Sequence, residues 1–320
     1  MPQSLFFVQL KHFLISLDLS IIKVLIKRGE PRMKKIGFIG TGVMGASIVK
    51  HLLNADYDVA VYNRTKSKTD ELVEKGATWY DTPQKVTEVS ELIFTMVGFP
   101  QDVEEIYFGE AGVLSADITG KIVVDMTTST PSLAKKIADR AKFNHGFALD
   151  APVSGGDLGA KNGTLTTMVG GDVEIYEEIK PVLEVFSGKI NLQGKAGSGQ
   201  HTKMANQIMI AGTMTGMTEL LVYAKAANLD VEKVLDTVGG GSAANWSLTN
   251  YAPRILKRDY TPGFFVKHFV KDLNIALTEA ENMGIDLPAT KEARNLYNQL
   301  IEKGFENDGT QALIKLWWNE

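Results

Sequence analysis

The chain has 320 residues, 44% of them hydrophobic and 22% charged, which fits an ordinary globular protein of about two domains. A formal net charge of −4 gives no electrostatic reason to bind nucleic acid, and the lack of cysteine excludes disulfides and thiolate chemistry. The five histidines show no metal-ligand spacing, so no metal is expected, and the reading is of a cytoplasmic protein with neither a nucleic-acid nor a membrane partner.

Residues 1–32 form an apolar leader, MPQSLFFVQLKHFLISLDLSIIKVLIKRGEPR. Lys11, Asp18 and Lys23 cut it into runs far shorter than the ~20 residues that span a bilayer. It lacks the basic start and small-residue cleavage site of a signal peptide. Two readings stand: a helix lying on a membrane surface, or untranslated sequence ahead of a start at Met33. The second is preferred, because Arg28-Gly29-Glu30 can be encoded by AGAGGAGAA, a purine run like a bacterial ribosome-binding site.

From Lys34 short β-rich runs alternate with helical segments. KIGFIG (35–40) reads as a buried strand, continuous, apolar and ended by glycine. It runs into Gly40-Thr41-Gly42-Val43-Met44-Gly45, a G-x-G-x-x-G turn that opens the helix VMGASIVKHLLNA. In that context the three glycines serve the tight turn, the approach of a pyrophosphate and the packing of helix on strand. The helix N-terminus offers N–H groups and a positive dipole end to the phosphates.

DVAVYN (58–63) is the second strand. Enzymes that use NAD carry an acidic residue near its end for the ribose 2′-OH. Here the stretch is Asn63-Arg64-Thr65-Lys66, with no carboxylate. Arg64 can pair bidentately with a 2′-phosphate, Thr65 and Lys66 adding donors, so NADP(H) is expected as the preferred cofactor with NAD(H) still usable. Arg64 as a solvated loop charge is the bland alternative. A helix follows over 67–75, then strands at 91–98, 121–126 and 146–150, with 164–171 and 189–194 prolonging the sheet. Such alternation argues for a parallel sheet with right-handed crossovers.

Between them lies DAPVSGGDLGAKNGTLTTMVGGD (150–172). Ser154-Gly155-Gly156 offers a hydroxyl and successive small-residue N–H groups, a nest suited to a carboxylate, or else a structural glycine loop. GKAGSGQ (194–200) is a hinge. It divides the chain into a nucleotide-binding domain over 33–195 and an all-α domain for substrate and oligomerisation over 196–320. The second domain opens with one helix over 199–228, apolar on almost all sides and so expected to be buried between partners, in which Ala211, Gly212, Thr215 and Gly216 would let another helix approach closely. Lys203, Asn206 and Gln207 share one of its faces. A lysine at the mouth of such a helix can exchange a proton with an alcohol oxygen. Helical patterns follow at 230–238, 243–256, 264–283, 288–303 and 309–317.

Four segments in order, GFIGTGVMG, DAPVSGGDLGAKNGTL, GQHTKMANQ and KDLNIAL (271–277), resemble the β-hydroxyacid dehydrogenase family, which includes 3-hydroxyisobutyrate dehydrogenase and tartronate semialdehyde reductase. The resemblance runs from Lys34 to the end. It implies a Rossmann-type α/β fold, doubly wound and mostly parallel, joined by a long helix to an all-α domain. It implies an oxidoreductase acting on a small 3-hydroxy acid or its semialdehyde, with Lys203 as catalytic lysine, Asn206 assisting, and Ser154, Gly155 and Gly156 binding the carboxylate. Lys271 would lie near cofactor and substrate, and Met96, Val97, Thr127 and Thr128 would line the nicotinamide side. A homodimer or homotetramer is expected.

The chain also departs from the family. MVGFP (96–100) stands where M-L-P is usual, and GGGSAANWSL (239–248) matches no subfamily. The lysine-containing substrate segment of 6-phosphogluconate dehydrogenase, a longer relative, is missing. Two other readings keep the fold: a silent NADP-binding scaffold and an imine reductase. Lys203 and Asn206 argue against the scaffold, and Lys203 against the imine reductase.

Overall fold

The computed structural model describes residues 33–318; the leader and both of its readings lie outside the described residues. Strands β1 (Lys35–Ile39), β2 (Asp58–Tyr62), β3 (Thr78–Trp79), β4 (Leu92–Thr95), β5 (Ile122–Asp125), β6 (Phe147–Asp150), β7 (Val153–Ser154), β8 (Leu165–Gly170) and β9 (Ser187–Gly194) form one sheet. Its order is β3-β2-β1-β4-β5-β6-β8-β7, with β9 paired to β8. The strands from β1 to β6 run parallel. β8 turns antiparallel to β6 and β7 and is parallel to β9.

Both faces of this sheet are covered, which is why its strands read as unbroken apolar runs. The helices of this half are α1 (Val43–Asn54), α2 (Asp70–Glu74), α3 (Pro83–Val89), α4 (Pro100–Phe108), α5 (Pro131–Phe143), α6 (Gly156–Asn162) and α7 (Val173–Leu183). Ile36, Phe38, Leu92 and Phe94 pack on one face with Ile48 and Leu52 of α1 and Ile179 and Leu183 of α7. Ile39, Ile93 and Val123 pack on the other with Val86 of α3, Val103 of α4 and Ile137 of α5. This is the doubly wound arrangement expected from the alternation.

Several elements differ in detail from the sequence pattern. α3 lies where no element was read; Thr82 caps it by accepting Lys85 N at 3.2 Å, and Pro83 occupies its first position. The stretch 67–75 splits into a 3-10 turn, Lys66–Thr69, and the short α2. The glycine-rich stretch 150–172 holds β7 and α6 as well as β8.

The helical half comprises α8 (Ser198–Ala226), α9 (Val231–Gly239), α10 (Trp246–Leu256), α11 (Val266–Asn282) and α12 (Pro288–Glu302). Its core joins Met214 and Leu221 of α8 to Tyr251 and Ile255 of α10, Phe269 and Leu273 of α11, and Tyr297 and Leu300 of α12. The last segment, Thr310–Leu316, is a 3-10 helix rather than the α-helix its pattern suggests; bonds such as Ala312 N to Gly309 O (2.9 Å) close the tighter turn. α8 is not buried all round. Lys203, Met204, Gln207, Ala211 and Met214 lie inside, whereas Met209 and Tyr223 are 67% and 74% exposed. Along its open side Gly212 and Gly216 have nothing within 4 Å of a would-be Cβ.

One contact fixes where α8 starts. Gly197, at φ +90°, precedes the helix and no side chain of its own segment caps it. The cap comes from the end of β6: Asp150 Oδ1 accepts Gly197 N at 2.7 Å and Oδ2 accepts Gln200 N at 2.8 Å. Both bonds are buried and charge-assisted. Asp150→Asn keeps the shape but turns an amide N–H toward a backbone N–H. We expect it to cost about 3 kcal/mol, the upper range for losing a charged hydrogen bond and stranding its partner. Urea unfolding at fixed protein concentration measures this; a loss under ~1 kcal/mol would show that the cap does not hold the helix.

Candidate active site

The site lies at the C-terminal edge of the parallel strands, where the order reverses between β1 and β4. Gly40 leaves β1 at φ +100°, and a Cβ there would fall 2.2 Å from Met96 O. A Cβ on Gly45 would fall 2.1 Å from Gly40 O, so helix and turn pack as closely as glycine allows. Gly42 differs: nothing lies within 4 Å of its would-be Cβ. α1, beginning at Val43 and Met44, has no side-chain cap and no acidic residue in its first turn. An open glycine beside an uncapped helix N-terminus fits the pyrophosphate of a dinucleotide.

The side chain of Asn63 is committed to the protein. Its Oδ1 accepts Thr41 N at 3.0 Å and its Nδ2 donates to Thr65 O at 2.9 Å, which ties the turn after β1 to the loop after β2. Arg64 projects from that loop with its side chain 81% exposed, and Nη1 meets Asp102 Oδ1 at 3.3 Å. Thr65 is exposed at the start of the 3-10 turn. Lys66 Nζ sits 4.1 Å from the Trp79 ring centroid, a cation–π contact.

After β4 and β5 the backbone is held by a buried polar network. The Thr95 hydroxyl donates to Asp125 Oδ1 at 2.8 Å and contacts the Tyr107 hydroxyl at 3.1 Å, so Tyr107 donates to Thr95. Thr127 N donates to Asp125 Oδ1 at 3.1 Å, and Val97 N, next to Met96, donates to Thr127 Oγ1 at 3.0 Å. Burial pushes the Asp125 carboxyl up to about 6 against the pull of its bonds to Thr127 and Thr95. Gln200 of α8 then clamps the next residues: its Oε1 accepts Ser129 N at 2.9 Å and its Nε2 donates to Thr127 O at 2.7 Å.

Lys203 follows Gln200 by almost one turn and is only 7% exposed. Among the described residues no group accepts a hydrogen bond from its Nζ. Nearby Lys271 of α11 is better provided: its Nζ donates to Thr128 O at 2.6 Å and lies 3.0 Å from Asp272 Oδ1. The other oxygen of Asp272 accepts Gln207 Nε2 at 2.7 Å, and Gln207 Oε1 accepts Asn206 Nδ2 at 2.7 Å. Thus Lys203, Asn206, Lys271 and Thr128 belong to one cluster. Burial pushes the Lys203 ammonium down to about 8; the Asp272 carboxylate opposes this and Lys271 adds to it. His268, one turn before Lys271, stacks against Phe99 at 5.2 Å between centroids. Burial, then Lys271, lowers its imidazole to about 4, so it is neutral at pH 7.

No hydrogen bond among the described residues joins Ser154, Gly155 or Gly156 to Lys203. Gly155 and Gly156 have φ +123° and +63°, backbone conformations that favour glycine. The turn lies beside the loop that precedes α11: a Cβ on Gly156 would be 3.5 Å from Gly263 O. α6 behind it is tied to α1 by His51, whose Nε2 lies 3.0 Å from Ala160 O and 3.1 Å from Lys161 O.

Sequence reasoning missed Asp150, Gln200, Asp272, Asp125 and Asp102 as parts of this frame. Three of them stand inside quoted motifs, Asp150 in DAPVSGG, Gln200 in GSGQHTK and Asp272 in KDL, but no spacing rule joins them. Among the described residues no cluster of side chains could hold a metal ion, and no helix is long and apolar enough to cross a membrane.

Comparison with known proteins follows the same division of the chain. Residues 35–194 match the family model of the NAD binding domain of 6-phosphogluconate dehydrogenase, and residues 197–317 match the NAD-binding model of NADP-dependent 3-hydroxyisobutyrate dehydrogenase. The uncharacterized oxidoreductase YkwC of Bacillus subtilis (strain 168) is 52% identical over 284 residues, covering 89% of this chain and 99% of that one. The 2-hydroxy-3-oxopropionate reductase of Escherichia coli (strain K12) is 38% identical, covering 88% and 96%. The solved structure of Mycobacterium tuberculosis 3-hydroxyisobutyrate dehydrogenase with L-serine superposes with a TM-score of 0.83 at 26% identity, covering 90% of this chain and 100% of that one. The chain belongs to the β-hydroxyacid dehydrogenase family of NAD(P)-binding oxidoreductases.

Proposed function

We propose an NADP-dependent dehydrogenase or reductase that interconverts a small 3-hydroxy acid and its semialdehyde, with Lys203 as general acid and base. The observation that carries this is a buried lysine without a hydrogen-bond acceptor, set among Asn206, Lys271 and the backbone after β5. When bound, the nicotinamide supplies or accepts the hydride. Gly40, Gly42, Gly45 and the amides that open α1 would hold its pyrophosphate, and Arg64 the 2′-phosphate. Met96, Val97, Thr128 and Lys271 would border the nicotinamide end.

Lys203 handles the proton at the substrate oxygen. In the reducing direction its ammonium donates to the forming alkoxide; in the oxidising direction its neutral amine takes the proton from the hydroxyl. An ammonium lowered to about 8 is within reach of both roles near neutral pH. Asn206, whose Nδ2 donates to Gln207 Oε1, would assist by offering its carboxamide oxygen to the same substrate. The nest at Ser154–Gly156 would bind the substrate carboxylate. The E. coli relative, a 2-hydroxy-3-oxopropionate reductase, and the L-serine in the solved relative both support a short chain with one carboxylate.

Three measurements test this reading. The first follows the proton: kcat/KM for reduction should fall as pH rises through about 8, because the ammonium is consumed, and kcat/KM for oxidation should rise through the same value. Lys203→Ala should abolish both limbs and lower kcat by roughly 10²–10⁴-fold. An unchanged pH profile in the variant would remove Lys203 from the mechanism. The second concerns the cofactor: NADPH should be preferred to NADH, and Arg64→Ala should weaken NADPH about tenfold, the low end for a charged hydrogen bond given the exposure of the site. Equal kcat/KM with both cofactors in the parent refutes the preference. The third compares a 3-hydroxy acid with its amide. Losing the carboxylate should reduce kcat/KM by more than tenfold, while one added methyl should cost less in a roomy pocket. Comparable turnover of acid and amide would take the carboxylate nest out of the reading.

A further inference from the structure

The loops after β2 and β4 face each other across the end of β1, because β1 lies between those strands in the sheet. One ion pair spans the gap, from Arg64 Nη1 to Asp102 Oδ1 at 3.3 Å. Its two ends are not equally free. The Arg64 side chain is 81% exposed, that of Asp102 26%. Asp102 Oδ2 accepts Phe99 N at 3.0 Å, which fixes the carboxylate to the first turn of α4. Arg64 is therefore a movable cation held by an anchored anion at the rim of the dinucleotide crevice.

We propose that Asp102 is a cofactor-specificity residue: it holds Arg64 across the crevice and weakens the advantage of the 2′-phosphorylated dinucleotide. The proposal rests on the reading that Arg64 meets the 2′-phosphate. A phosphate arriving there competes with Asp102 for one guanidinium. After Arg64 has moved, the carboxylate remains nearby as a like charge, because its bond to Phe99 keeps it in place. A cofactor without the 2′-phosphate meets no such repulsion and leaves the Arg64–Asp102 pair intact. Asp102 thus changes the ratio of the two affinities rather than both alike. It lies just beyond MVGFP, the segment where this chain leaves the family pattern, and that segment supplies the Phe99 N–H that anchors it.

Asp102→Asn is the informative variant, since the amide oxygen can still accept Phe99 N while the charge is lost. Calorimetric titration of NADPH and of NADH into the full chain compares the parent, Asp102→Asn and Arg64→Ala. The expected result is that Asp102→Asn tightens NADPH about fivefold, the scale of a partly exposed ion pair, and leaves NADH within about twofold. Arg64→Ala should weaken NADPH selectively. If Arg64→Ala leaves NADPH binding unchanged, the cofactor reading itself is overturned. If Arg64→Ala weakens NADPH but Asp102→Asn leaves it unchanged or weakens it, Asp102 is no specificity residue and the cofactor reading stands.

Discussion

The carboxylate of Asp150 meets the N-terminus of α8, and the rest of the site takes its position from that contact. The strand end supplies a buried carboxylate at the sheet edge, and the helix supplies two N–H groups and the positive end of its dipole. The approach is so close that a side chain at Gly199 is excluded: its Cβ would sit 2.8 Å from Asp150 Oδ2 and 2.4 Å from Met168 O. Burial raises the Asp150 carboxyl, and the bonds from Gly197 and Gln200 oppose it. Because the first turn is fixed, Gln200 reaches Thr127 and Ser129, and Lys203 comes to lie inside rather than at the surface. The depth of the lysine is thus set by the geometry of its own helix start.

The lowered proton affinity of Lys203 follows from an imbalance of charge. Two ammonium groups, Lys203 and Lys271, share one buried carboxylate, Asp272. Lys271 sits 3.0 Å from it and also donates to Thr128 O, so its charge is compensated. Lys203 is left with desolvation and a neighbouring cation against one carboxylate already in use. Taking an ion out of water costs several kcal/mol, and burial is the largest influence on this lysine, ahead of Asp272. If the carboxylate dominated instead, the ammonium would be raised above its ordinary value and would not release a proton near neutrality. The neutral state of His268 also matters, because a cation there would deepen the imbalance.

Much of this was legible in the sequence because it is local. The glycine turn, the strand that leads into it and the helix that leaves it occupy consecutive residues, and glycine positions such as Gly40 report backbone geometry directly. Lys203 was legible through the motif around it, although a lysine seven-hundredths exposed is not something helical periodicity can announce. The frame was not legible because it joins distant residues. Asp150 and Gln200 are 50 apart in sequence, and Gln207 and Asp272 are 65 apart. α3 is a different case: Thr82-Pro83 carried a helix-start signal, and the helix is too short for its apolar spacing to stand out. Small and apolar residues on every side of α8 look the same in sequence whether or not another element of the same chain covers them.

The two ends of the crevice use charge under opposite conditions. At the lysine cluster the groups are buried, water is excluded, and each charge alters the proton affinity of its neighbours. At the arginine the side chain is mostly in solvent, where a single ion pair contributes up to about 1 kcal/mol and salt screens it. A buried end would suit the proposed proton transfer, which needs a displaced proton affinity. An exposed end would suit the proposed choice between two cofactors, which needs only a modest difference in free energy and a side chain free to change partners. The same division explains why the chain builds its buried end from long-range hydrogen bonds that leave no freedom, and its exposed end from one movable arginine and one anchored aspartate.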